Sequence, residues 1–323
     1  MTEENPPTVE LTAPEISSYR KGPDVDYVQS WEADAPGRHV MISALTHGNE
    51  LCGALAVERL LKMGVRPKRG RLTLAFINVA AFTLFDPDDP YASRFIDEDF
   101  NRLWTEERLD GDDNSVELRR ARKLREVFDS VDDLLDIHSM STHSPPLILT
   151  HDHPKHVAMA RKVGYPAYVA AGPVFAPGKR IIEYTPFADA ANDKTALLVE
   201  CGQHWAVETA DVAMETALRF LMATGVMTAE EAGPHLTTDN PPAPGVYRVT
   251  DGITPETKEF RFLEDYVGCE VFPKAGTPVA DDGGALVTTP YDDCMLVMPN
   301  HRAGQGQRAG RFARFIADGF ISE

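Results

Sequence analysis

Cysteine is scarce and scattered: Cys52, Cys201, Cys269 and Cys294 contain no CxxC pair, which excludes a thiolate zinc site and a disulfide framework. No run approaches the ~20 apolar residues of a membrane span. The opening MTEENPPTVELTAPE is acidic, with no basic stretch leading into an apolar run, so no secretory signal is read there. A reducing cytoplasm is the resulting expectation. Positive charge is also short. Lys and Arg number 32 against 50 Asp and Glu, a net charge of -18, which argues against nucleic acid or an anionic membrane as partner. A small anionic substrate stays open, because a few arginines in a cleft set a local potential against the global one. No internal repeat and no low-complexity tract is present.

What the 323 residues do contain is an alternation of apolar runs with helical periods, ample for an α/β core. HVMISALT (39–46) reads as a buried strand, LCGALAVERLLKMG (51–64) as the helix after it, and RLTLAFINV (71–79) as a second strand. Between Ser115 and Val131 a helical face carries Leu118, Ala121, Leu124, Val127 and Phe128, with Asn114 as expected N-cap and Glu117 at the third helical position. VDDLLDIH (131–138), PLILT (146–150), PAYVAA (166–171) and TALLVE (195–200) read as further strands. The pattern predicts an α/β fold, an open, mostly parallel mixed sheet flanked by helices. DNPPAPG (239–245) reads as a linker, so 1–238 is expected to be a catalytic domain and 239–323 a small β-rich domain built from VYRVT, EFRFL, CEVF, ALVTT and CMLVM. Part of that region is similar to a biotinyl or lipoyl barrel, but no lysine stands in the hairpin, and a plain β appendage is expected.

In open α/β sheets the functional crevice lies beyond the carboxyl ends of the strands. THGNE (46–50) follows the first strand, DIHS (136–139) closes another, and Glu200 ends TALLVE, so His47, Glu50, His138 and Glu200 reach one edge. Two imidazoles and a carboxylate leave zinc a fourth position for water, the arrangement of a hydrolytic site. The spacing of His47 and Glu50 lets both ligate from a tight turn, unlike the helical HExxH motif. HDHPKH (151–156) reads as a polar loop and helix start, His143 as solvated or at a pocket mouth, and His204 as a hydrogen-bonding neighbour of the site. The acidic runs DPDDP and DGDDN lack the spacing of a calcium loop.

THGNE, then RFIDEDFNRLW, DIHS and VECG in that order resemble the aspartoacylase and succinylglutamate desuccinylase family. The resemblance covers about 39–205 and, more loosely, the β region. It implies a zinc carboxypeptidase-like core with a C-terminal β domain and one Zn2+ per chain, held by His47, Glu50 and His138. It also implies Glu200 as general base, Arg94 as the group that polarises the scissile carbonyl, and Asn101 with Arg102 as the grip on a substrate carboxylate. Arg180 and Tyr291 are weaker matches to substrate-binding positions. The implied activity is hydrolysis of a small carboxylate-bearing N-acyl amino acid, releasing a carboxylate and a free amine. A metallocarboxypeptidase acting on short peptides and a non-catalytic binding module stay open as alternatives. The acyl group, the amine and the oligomeric state, a homo-oligomer included, are left open.

Overall fold

A computed structural model describes residues 8–173, 175 and 177–317. The first seven residues of the acidic N-terminal run lie outside the described residues. Strands are β1 (Val28–Glu32), β2 (His39–Ala44), β3 (Arg71–Phe76), β4 (Asp133–Met140), β5 (Leu147–Thr150), β6 (Tyr168–Ala171), β7 (Thr195–Gln203), β8 (Gly245–Ile253), β9 (Arg261–Phe262), β10 (Val271–Phe272), β11 (Pro278–Asp282), β12 (Ala285–Thr288), β13 (Cys294–Val297) and β14 (Gly310–Phe315). The longer helices are α1 (Leu51–Met63), α2 (Val116–Ser130), α3 (Pro154–Val163) and α4 (Glu208–Ala223).

Eleven strands form one sheet in the order β1-β3-β2-β4-β7-β5-β6-β8-β14-β13-β10, and β9, β11 and β12 form a second, antiparallel one. The mixed α/β architecture expected from the alternation is present. Strands β3, β2, β4 and β7 run parallel, as do β5, β6 and β8. Within the core, β5 pairs antiparallel with β7 and β1 with β3. Strands β2, β4, β5 and β7 are buried along their whole length, so their sequences read as continuous apolar runs rather than alternations. Helices α1, α3 and α4 bury their apolar faces in one cluster with β2 and β7, while α2 joins a second cluster with Trp104 and Phe187.

Strand β8 hydrogen-bonds in register with β6, so the region after the expected linker continues the main sheet. Its β13 and β14 then add antiparallel. Sequence reading had not marked β11 or β14, and of EFRFL and CEVF only two residues each are strand. The N-cap of α2 is Ser115 rather than Asn114. The Ser115 hydroxyl accepts from the Leu118 N–H at 3.0 Å, and Glu117 consequently stands at the second helical position. Its buried carboxylate accepts from the N–H groups of Ile96 and Asp97 and from Asn78 Nδ2, anchoring the loop that precedes the site.

Candidate active site

The register of β4 against β7 sets His138 directly opposite Glu200, so the two side chains are neighbours as soon as the strands pair. Asp136 precedes His138 by two residues and so shares its face of the strand. Asp136 Oδ2 lies 2.6 Å from His138 Nε2, and its Oδ1 accepts from the Ser43 and Thr46 hydroxyls at 2.7 and 2.9 Å. With Nε2 tied to Asp136, Nδ1 is turned to Glu50 Oε2 at 2.9 Å.

His47 and Glu50 come from the turn between β2 and α1, where Glu50 is the residue capping the helix. Gly48 makes that turn possible. A Cβ there would sit 2.4 Å from the Ser93 carbonyl oxygen and 2.5 Å from Ala81 backbone. The Gly48 N–H donates to the Arg94 carbonyl at 3.1 Å, which fastens the turn to the loop carrying Arg94. His47 Nδ1 lies 2.7 Å from Glu50 Oε1, and its Nε2 lies 3.0 Å from Asp99 Oδ1 and 2.9 Å from Arg94 Nη2. Arg94 also pairs with Asp99 at 3.3 Å. The ligating atoms of His47, Glu50 and His138 fall within 4.8 Å of one another, and all three residues are buried. Among the described residues this is the one such group.

Burial alone would disfavour charge on Glu50, but the two imidazoles outweigh it and hold the carboxyl well below its usual range. Glu200 goes the other way. Burial, reinforced by the charge of Glu50, pushes its carboxyl up to about 7 against the opposing fields of His138, His47 and Arg94. Its Oε2 is buried with no hydrogen-bond partner, an orphan acceptor of the kind that marks a functional group. His204 is pushed down to about 3, chiefly by burial, and its Nδ1 lies 2.8 Å from the Ser139 hydroxyl. That matches the hydrogen-bonding role read for it.

These groups open into a cavity of about 370 Å3. Arg94, Asn101, Arg102 and Arg180 line it with the His47, Glu50, His138 and Glu200 set. Arg180 arrives through a docked loop. Asn101 Oδ1 accepts from the Ile181 N–H at 2.8 Å, and a Cβ at Gly178 (φ +79) would meet the Arg102 carbonyl oxygen at 2.4 Å. Glu183 holds the buried Arg180 guanidinium at two points, both 3.1 Å.

Tyr291 is not among the lining residues. Its hydroxyl bonds Thr250 Oγ1 at 2.6 Å, and Arg314 stacks over its ring at 4.1 Å. The β-rich region reaches the cavity through Met298, Pro299, Asn300, Arg308 and Arg311 instead. The HDHPKH histidines serve structure: His153 caps α3, His151 Nε2 bonds the Ile182 carbonyl, and buried His156 accepts from the Ala196 N–H. His143 is exposed. Asp136, Arg308 and Arg311 carried no assignment from sequence, although the i, i+2 step to His138 is a signal for Asp136; Asp99, in the acidic run IDED expected to hold the arginines, does pair with Arg94.

The model of the succinylglutamate desuccinylase/aspartoacylase catalytic domain matches residues 36–222. The chain belongs to this family. Aspartoacylase of Xenopus tropicalis is 30% identical over 126 residues, 36% of this chain and 39% of that protein. Aspartoacylase of Rattus norvegicus is 29% identical over 129 residues, 37% and 40% of the two chains. The match thus spans about two fifths of these curated relatives. Over the whole fold, succinylglutamate desuccinylase of Vibrio parahaemolyticus superposes with a TM-score of 0.63 at 18% identity, covering 90% of this chain and 87% of its own. The product-bound ectoine utilization protein EutE (DoeB) of Ruegeria pomeroyi gives 0.62 at 16%, covering 90% and 88%. At such identities the likeness is one of fold. The family fold therefore extends into the C-terminal β region that the family model leaves out.

Proposed function

We propose that this desuccinylase/aspartoacylase family member is a zinc-dependent amidohydrolase that removes an acyl group from a small carboxylate-bearing N-acyl amino acid. The observation that carries the reading is the buried His47–Glu50–His138 set beside Glu200, whose Oε2 has no partner. The donor set suits zinc. Two imidazoles and a carboxylate are the ligand complement of hydrolytic zinc sites, and Asp136 holds His138 in the tautomer that frees Nδ1. When bound, zinc would act as a Lewis acid on the amide carbonyl and lower the pKa of water towards ~7.

The chain's own residues supply the rest. Glu200, with its proton affinity raised by burial, takes a proton from the attacking water at its carboxylate and returns it to the leaving amine. Arg94, fixed by Asp99, offers a permanent cation to the oxygen that gains charge as the carbonyl becomes tetrahedral. Arg102 and Asn101 orient a substrate carboxylate, a task suited to the guanidinium fork. Arg180, locked by Glu183, adds positive field at the same wall. On this reading residues 1–238 carry the chemistry, and 239–323 narrow the cavity through Met298, Pro299 and Asn300. That narrowing favours a small substrate over a peptide.

The test is a hydrolysis screen of zinc-loaded protein against N-acetyl, N-succinyl and N-formyl amino acids, alongside short peptides. Amine release from the acyl amino acids, abolished by chelation and restored by zinc, is expected. Peptides cleaved while every acyl amino acid is inert would make the chain a carboxypeptidase.

A further inference from the structure

The turn that carries His47 and Glu50 holds another polar side chain, one that the fold itself does not account for. Asn49 stands between the two in THGNE, lines the cavity of about 370 Å3 and is fully buried. Both polar atoms of its carboxamide, Oδ1 and Nδ2, are buried with no hydrogen-bond partner among the described residues.

An Asn just ahead of a helix ordinarily turns its side chain onto the first N–H groups of that helix. Asn49 does not. Helix α1 is capped at Glu50 without a side-chain bond to its first turn. The backbone of Asn49, by contrast, is fastened. Its carbonyl accepts from Trp205 Nε1 at 3.0 Å, and the Glu50 N–H closes the turn on the His47 carbonyl at 3.3 Å. Trp205 is itself fully buried and meets the Tyr91 ring edge-on at 4.9 Å. The main chain thus holds Asn49 in place, and the carboxamide adds nothing to that hold. A buried amide without partners is costly, and a side chain that keeps one at a cavity wall is built for a ligand.

The proposed reaction leaves one polar group of the substrate unmatched. Asn101 and Arg102 meet the carboxylate, Arg94 meets the carbonyl oxygen, and Glu200 is engaged with the attacking water. The N–H of the amide to be cut has no acceptor among them. We propose that Asn49 is a substrate-binding residue whose Oδ1 accepts from the N–H of the scissile amide, which makes the site selective for amides over esters of the same shape. The assignment rests on the deacylase reading. Because both atoms of the carboxamide are uncommitted, its oxygen turns to that N–H without breaking another bond. An ester puts an oxygen where the N–H would be and leaves Asn49 Oδ1 buried without a donor.

The test takes the N-acyl amino acid cleaved best in the hydrolysis screen and its ester counterpart, O-acetylmalate in the case of N-acetylaspartate. Zinc-loaded wild type, Asn49→Leu and Asn49→Ala are compared by the amide-to-ester ratio of kcat/KM. The intrinsic ease of ester cleavage is common to all three proteins and cancels. A buried acceptor deprived of its partner costs roughly a factor of 5–150. The ratio is therefore expected to fall at least fivefold in both variants, through loss on the amide, with zinc content unchanged. Should Asn49→Leu not fold, Asn49→Ala decides. Variants that lose amide and ester cleavage alike make Asn49 a structural part of the turn and overturn the proposal, as do variants that keep the wild-type ratio. If the screen finds no acyl amino acid hydrolysed, the deacylase reading falls. The preference is then read from calorimetric dissociation constants for N-acetylaspartate and O-acetylmalate. An amide preference that the variants abolish upholds the contact, and a wild type without one overturns it.

Discussion

Strands β2, β4 and β7 run parallel and end on one edge, whereas β8, β14 and β13 run antiparallel to one another and reach the same cavity through Met298, Pro299, Asn300 and Arg308 beside the strands and Arg311 at the start of β14. In the first region His47 and Glu50 follow the end of β2, His138 and Glu200 stand in the last residues of β4 and β7, and opposite charges pair: Glu50 with two imidazoles, His138 with Asp136, Arg94 with Asp99. In the second region the cavity-lining groups are two arginines, Arg308 and Arg311, beside Met298, Pro299 and Asn300. Parallel ends converge whatever the loop sequences are, so they suit a fixed chemical constellation.

That comparison is broken most sharply at Glu200. Glu200→Gln keeps the size and removes the proton acceptor. With the zinc reading, kcat is expected to fall by a factor on the order of 10²–10⁴ while metal content holds, measured by steady-state kinetics and metal analysis. Metal lost along with activity would make Glu200 a ligand. Near-normal turnover would take it out of the reaction and leave the parallel end without its proton carrier.

Asp136→Asn probes the pairing that keeps the parallel end ordered. The new amide oxygen still accepts from Ser43 and Thr46, which turns its NH2 towards His138 Nε2. Two donors then face each other, and the imidazole shifts its proton to Nδ1, the atom turned to Glu50. Zinc affinity is expected to drop about 10- to 100-fold in a chelator competition titration. Unchanged affinity would show that the tautomer is set by something other than Asp136.

How far the sequence reveals this arrangement follows the same division. The buried strands β2, β4 and β7 are visible as apolar runs, and the polar residues within or just after their carboxyl-terminal ends are visible because each breaks such a run. His47, Glu50, His138 and Glu200 are found that way. Arg308 and Arg311 are not, because nothing local distinguishes them from surface arginines in GQGQRAGRFARF; the pairing of β14 with β8 places Arg311 at the cavity, and Arg308 lies in the segment just before β14. Tyr291 illustrates the converse. TTPYDD sits in a region of short strands whose facing is undetermined until β11 and β12 pair in a separate sheet. Its ring then packs with the small apolar cluster around Phe312 and Leu296 rather than lining the cavity.

Tyr291→Phe is therefore the smallest change and the one that sharpens the comparison most finely. The ring remains, so the stacking of Arg314 at 4.1 Å and the contacts with the cluster survive. What is lost is the bond between the hydroxyl and Thr250 Oγ1 at 2.6 Å. Thr250 keeps a second acceptor, the Phe312 carbonyl at 3.3 Å, which softens the penalty of an unsatisfied hydroxyl. A net loss of about 0.5–1.5 kcal/mol is expected from urea unfolding, the ordinary value of one intramolecular hydrogen bond. On the deacylase reading, kcat/KM should stay within about twofold of wild type, because no lining group moves. A loss of tenfold or more would mean that Tyr291 reaches the substrate after all. The C-terminal region would then contribute to the reaction through a side chain that this packing holds away from the cavity.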